Sequence, residues 1–250
     1  MKQDLVEYVL RLGDDRLVLG HRLSEWCGHA PILEEDIALA NIALDLVGQA
    51  NLLLTLAAKA EDKGRDADAL AYLRDAIDYH NALLVELPNG DFAATIARQF
   101  LFSTYALLQA DALRQSVQND LAGIAAKMHK EAKYHVRHSG EWMLKLGDGT
   151  DESHGRLQSA IDEVWRYTGE LFLADDLERR LSDAKIAVDS STLERPWSDQ
   201  VLSVLQRAGI QVPEVKWMQR GGRQGRHTEH LGHMLGEMQV LQRQHPGATW

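Results

Sequence analysis

Residues 34–58, EEDIALANIALDLVGQANLLLTLAA, read as one long helix that is apolar nearly all round. A surface helix shows a single apolar stripe. Here Ile37, Leu44, Val47 and Leu54 occupy one side, while Leu39, Ile42, Leu46, Leu53 and Leu56 cover most of the rest. Such a helix belongs in the interior of an all-helical protein. A polar line runs along it, Asn41, Asp45 and Gln49 at i, i+4 and i+8, with Gly48 beside it. Buried polar groups require partners, so this line is where chemistry, or what remains of it, is expected.

The composition agrees with helices. Aromatic residues make up 6% of the 250-residue chain and prolines number five, which disfavours a sandwich or barrel. The formal net charge of −10 argues against nucleic acid or an anionic membrane as the main partner. Cys27 is the sole cysteine, and MKQDLVEYVL at the start lacks the pattern of a secretion signal, so a cytoplasmic location is expected. Asn41 and Asp45 interrupt the most apolar stretch, and no membrane span is expected.

Outward from the central helix, a first helix is expected over about 2–27, with Leu5, Val9, Leu12, Leu19 and Leu23 inward; Gly28 and Pro31 end it. After the polar connector EDKGRDAD, further helices are expected over 67–87, 91–117 (Asp91 as N-cap), 121–146, 153–181, 196–208 and 228–244. Four helices of roughly 25 residues in antiparallel pairs describe an all-α, ferritin-like antiparallel four-helix bundle with additional C-terminal helices. A single domain over 1–250 is expected, with 187–250 an extension that packs on the bundle or on a partner.

Ferritin-like di-iron bundles draw one Glu from each of two helices and a Glu-x-x-His pair from each of the other two. A turn near residue 30 sets Asp45 level with Asp15. Three residues after Asp45 stands Gly48, which has no side chain to offer a metal. A turn near residue 118 sets Glu131 level with Tyr105 and His135 level with Leu101. His135 follows Glu131 by four residues instead of three, and the chain from Phe92 to Ala110 carries no carboxylate. Asp15, Asp45, Gly48, Glu131 and His135 are therefore expected to be degenerate di-iron positions: Asp45 buried and paired with Arg98, His135 or Asn41, and Glu131 hydrogen-bonded to His135. No metal, catalytic or cofactor-binding residue is expected in this chain.

His227, His230 and His233 recur at i+3 without a nearby acid or Cys at ligand spacing, and read as a solvated or partner-facing cluster. Cys27 beside His29 reads as a packed thiol. Gly221, Gly222 and Gly225, interleaved with Arg220, Arg223 and Arg226, offer either a phosphate cradle or a flexible connector.

The runs 11–50 (with EWCGHAP), 83–100 (with LPNGDFA), 130–151 and 225–243 (with HTEHLG) resemble the C subunits of bacterial phenylacetyl-CoA epoxidase, and the likeness covers nearly the whole chain. That resemblance implies a multicomponent monooxygenase of phenylacetate catabolism. A homologous A subunit holds the di-iron centre, and a reductase subunit with NADPH, flavin and iron-sulfur groups supplies electrons. It implies that this chain is a non-catalytic subunit, without cofactor of its own, that supports the A subunit in a heterodimer and higher assembly with the other epoxidase subunits. The competing readings are a self-sufficient di-metal ferritin-like oxidase and an acyl-CoA-binding module. The tail from Pro213 carries five basic against three acidic side chains, with Trp217 and Trp250 as interface anchors. Deleting 214–250 is expected to weaken association and leave the remaining helices nearly intact.

Overall fold

Period-3.6 burial builds long helices in antiparallel pairs in the computed structural model, which describes residues 2–248. No strand occurs among the described residues. The chain resolves into two compact units, Met1–Pro88 with Gly221–Trp250, and Asn89–Arg220. The extension expected over 187–250 is thus not one piece, because its first part belongs to the second unit and its last part to the first.

The first unit is organised by α1 (Lys2–Ser24) and α2 (Leu33–Glu61), which pack along their length. Gly13 and Gly20 let the two backbones approach: a Cβ on Gly13 would lie 3.0 Å from Leu54 and one on Gly20 3.0 Å from Val47. Four short helices belong to this unit, α3 (Ala67–Tyr72), α4 (Leu83–Glu86) and, after the second unit in the chain, α10 (Glu229–Met238) and α11 (Val240–Gln244). The continuous helix expected over 67–87 is broken. The backbone N–H groups of His80 and Ala82 donate to the buried carboxylates of Asp14 (2.9 Å) and Asp15 (2.8 Å), bonds that an unbroken helix would have kept to itself.

The second unit is built on α5 (Phe92–Leu113) and α6 (Asn119–Gly147), with Asp91 capping α5 through a 2.9 Å bond from Ala94 N–H. Around them lie α7 (Asp151–Val164), α8 (Asp176–Asp183) and α9 (Glu194–Arg207). The helix expected over 153–181 divides into α7 and α8, because Thr168 turns back on the Trp165 carbonyl at 2.8 Å and Gly169 lies against Met218. Trp197 anchors this unit, its ring packed at a tilt against Phe172 and Trp165 and its indole N–H donating to the Leu101 carbonyl at 2.9 Å. Trp250 lies outside the described residues.

By length and composition α2 is long and apolar enough to cross a membrane despite Asn41 and Asp45, a test that the core helix of a bundle passes as well. Half of its most apolar stretch is buried and α1 covers one side, as for the core helix of a bundle. It is not buried all round, however. Leu33 (72% exposed), Ile37 (53%) and Leu44 (69%) form a bare apolar stripe on the side away from Leu39, Ile42, Leu46 and Leu53.

Candidate functional site

The polar line of α2 does not lead into the core as expected. Asn41 is exposed, Asp45 and Gly48 are half-buried, and Gln49 alone is fully buried. The reason is register. Gly13 against Leu54 and Gly20 against Val47 set Asp45 level with about Arg22, and Asp15 level with about Leu52. Asp45 and Asp15 are thus separated by seven residues, or about 10 Å along the hairpin. The eight residues between α1 and α2 move the turn away from residue 30.

The buried charge of the first unit sits instead on α1. Asp14 and Asp15 are both 0% exposed and, as neighbours on a helix, point in different directions. Asp14 pairs with Arg74, whose Nη1 donates to Oδ2 at 3.0 Å and whose Nη2 reaches Oδ1. Burial works against the Arg74 charge, and Asp14 outweighs it. Asp15 is held by both terminal guanidinium nitrogens of Arg223, each at 2.9 Å, with Arg16 Nη1 3.7 Å from its Oδ2. Arg223 also donates to the His80 carbonyl at 2.8 Å. A third acid, Glu86, is likewise 0% exposed. It accepts from Asn81 (2.9 Å), from His227 (2.7 Å) and from the Thr228 N–H (2.6 Å). Arg22 ties the Glu86 carbonyl (3.0 Å) to that of His230 (2.9 Å).

Three candidates change character. The Gly-Arg run is neither a phosphate cradle nor a loose connector, since Arg223 points inward. Gly222 has no room for a side chain, because a Cβ would sit 2.1 Å from the Asn81 carbonyl oxygen. His227 is not solvated: its side chain is 5% exposed and engaged, whereas His233 is exposed and His230 half-buried. Cys27 is exposed and not packed, because α1 ends at Ser24 and leaves it in a turn.

In the second unit, Phe100 lies against Gly140, and Asp111 contacts His129 at 3.3 Å. This sets His135 level with about Tyr105 and Glu131 with about Gln109, one turn from the expected levels. His135 is 2% exposed; Glu131 is half-buried, 3.7 Å from Lys127. Where a metal site needs an acid on α5, the buried positions hold Thr95, Gln99 and Ser103, spaced i, i+4, i+8, with Gln99 donating to Ser103 at 2.8 Å. The same spacing rule that singled out Asn41, Asp45 and Gln49 would have found this line.

These donors do not fit a di-iron centre. Four carboxylates and two imidazoles are required. Asp15 is saturated by a bidentate guanidinium, Gly48 has no ligand atom, Asp45 is at another level, and the buried line of α5 presents an amide and hydroxyls. Among the described residues no three His, Cys, Asp or Glu side chains form a group able to hold a metal ion. A groove of about 460 Å³ in the first unit, lined among others by Lys2, Glu7, Glu61, Lys63 and His80, mixes both charges and offers no cradle for an acyl chain.

A family model described as phenylacetic acid catabolic protein matches residues 1–250. The chain belongs to that family. Its fold is therefore the ferritin-like all-α class, with α1, α2, α5 and α6 as the long helices. The C subunit of the 1,2-phenylacetyl-CoA epoxidase of Escherichia coli (strain K12) is 50% identical over 246 residues, covering 98% of this chain and 99% of the relative. Family members of this fold thus include a protein named as one subunit of a larger enzyme, in keeping with a chain whose own buried acids are occupied by arginines and histidine.

Proposed function

We propose that this chain is the non-catalytic C subunit of a phenylacetyl-CoA epoxidase, and that it supports a homologous A subunit in which the di-iron centre resides. Electrons come from the reductase subunit of the same assembly. The observation that carries the reading is the bidentate Arg223–Asp15 pair, which occupies with internal charge an acid that sequence spacing set among the di-iron positions. Similarity to the Escherichia coli subunit supports the substrate and the company it keeps. A self-sufficient di-metal oxidase would have to expel Arg223 from Asp15 and find an acid on α5, and α5 has none at a buried position.

The bare stripe of α2 supports the role of a subunit, since a contiguous exposed apolar face marks an interaction surface. In this reading Leu33, Ile37 and Leu44 are covered by the A subunit. Ile37→Glu with Leu44→Glu is expected to weaken co-purification with the A subunit about 100-fold, the scale of losing interface anchors. The melting temperature of the isolated chain should stay within a few degrees, because both side chains already face solvent. Undiminished association of the double variant would reject the surface. Trp217, 62% exposed with Arg220 over its ring at 5.4 Å, is a second anchor to test in the same assay.

A further inference from the structure

His227 sits where the last segment of the chain returns to the first unit, and both of its ring nitrogens are engaged. Nδ1 lies 2.7 Å from Glu86 Oε2, and Nε2 lies 2.9 Å from the Tyr79 carbonyl oxygen. Both partners are acceptors only. A neutral imidazole carries one N–H and would meet the other acceptor with a lone pair. Only the imidazolium can donate to both. We infer that His227 is a proton-operated clasp: protonated, it fastens residues 221–244 to the first unit, and loss of its proton loosens them.

The surroundings agree. Burial by itself disfavours the charge, but the bond to Glu86, the charge of Glu86, the Tyr79 carbonyl and the more distant Asp14 outweigh it, and the His227 pKa is raised. The groups that face it from each packed element leave Glu86 as its counter-charge. On α1, Asp14 is neutralised by Arg74 and Asp15 by Arg223, while Arg22 binds backbone carbonyls. From the segment before α4, the Tyr79 phenol is pushed up by burial and stays neutral, and His80 is pushed down, chiefly by burial. His21 on α1 is also lowered by burial. On its own segment Arg226 and Glu229 are exposed, and His230 offers its carbonyl to Arg22.

A raised folded-state pKa has one sign. The clasp contributes fully below the ordinary histidine value of about 6.5, and its contribution is lost as pH rises through the folded value. The neutral ring then gives up one of its two bonds, and Glu86 is left buried with its charge less well matched.

Hydrogen–deuterium exchange of the full chain between pH 6 and pH 9, corrected for intrinsic exchange, tests this. Protection of residues 226–238 should fall about tenfold or more across that range, the scale of one charge-assisted hydrogen bond, while α5 and α6 keep theirs. In His227→Gln, protection of 226–238 should be low and independent of pH. A flat profile in the unmodified chain, or an unchanged slope in the variant, would overturn the clasp. Should the variant fail to fold, an NMR titration of the unmodified protein decides. Both ring nitrogens of His227 protonated with a midpoint above 6.5 support it, and a midpoint at or below that value overturns it.

Discussion

Arg223→Met lowers the stability of the first unit by about 3–5 kcal/mol, because it leaves Asp15 charged, 0% exposed and without its bidentate partner. Arg16, 3.7 Å away, and the Ala82 N–H keep the carboxylate from being wholly stranded, which places the effect toward the lower end of that range. For a chain of this length the loss corresponds to a fall in melting temperature of roughly 6–20 °C. The decisive comparison is with Asp15→Asn added. Asparagine keeps an acceptor for Ala82 and removes the unpaired charge, so the double variant should recover about half of the loss. Additive losses in the two variants, or an Arg223→Met chain that melts like the original, would show that the pair carries no such role.

Removal of residues 221–250 has a larger effect still. That segment supplies Arg223 to Asp15, and it supplies His227 and the Thr228 N–H to Glu86. The His230 carbonyl receives Arg22, and Gln239 donates to the Arg74 carbonyl at 3.0 Å. Without it two fully buried carboxylates lose most of their donors at once. The truncated chain is expected to lose the cooperative unfolding and protease resistance of residues 2–88. A truncated protein that keeps its helical circular dichroism and melts within about 2 °C of the full chain would contradict this. The expectation from sequence differs: an extension packing on the bundle or on a partner, whose deletion from residue 214 leaves the remaining helices nearly intact, because a bundle can close its core by about residue 185.

Why the place of the tail is hard to read from sequence is physical. Arg223 and Asp15 are 208 residues apart, and no local pattern links them. Glycines around an arginine ordinarily signal a flexible loop. Here Gly225 takes a left-handed φ of 72° and Gly222 packs on the backbone of Asn81, so the glycines fit the arginine into the core. The long helices were legible because α1, α2, α5 and α6 each sustain an apolar period over more than twenty residues. The region of α3 and α4 was not. Its helical pattern is overridden by Asp14 and Asp15, which take the N–H groups of His80 and Ala82.

The types of the candidate residues were legible in the sequence, and their levels and burial were not. Gly48 and the acid-free stretch from Phe92 to Ala110 pointed to an incomplete ligand set. Asp45 was expected to be buried because α2 looks apolar on every side, but sequence cannot say which apolar face a partner or solvent will take. The register error followed from the same gap, since the long turn between α1 and α2 is invisible to periodicity.

A chain that supports iron chemistry carried out elsewhere should hold no iron of its own while its partner does. Purifying it together with a homologous A subunit, assaying the complex with reductase and phenylacetyl-CoA, and then measuring iron in each separated chain tests that directly. Epoxidation by the complex, with about two irons recovered in the A subunit and substoichiometric iron in this chain, is the expected result. About two irons recovered in this chain, and lost on Asp15→Ala, would contradict it.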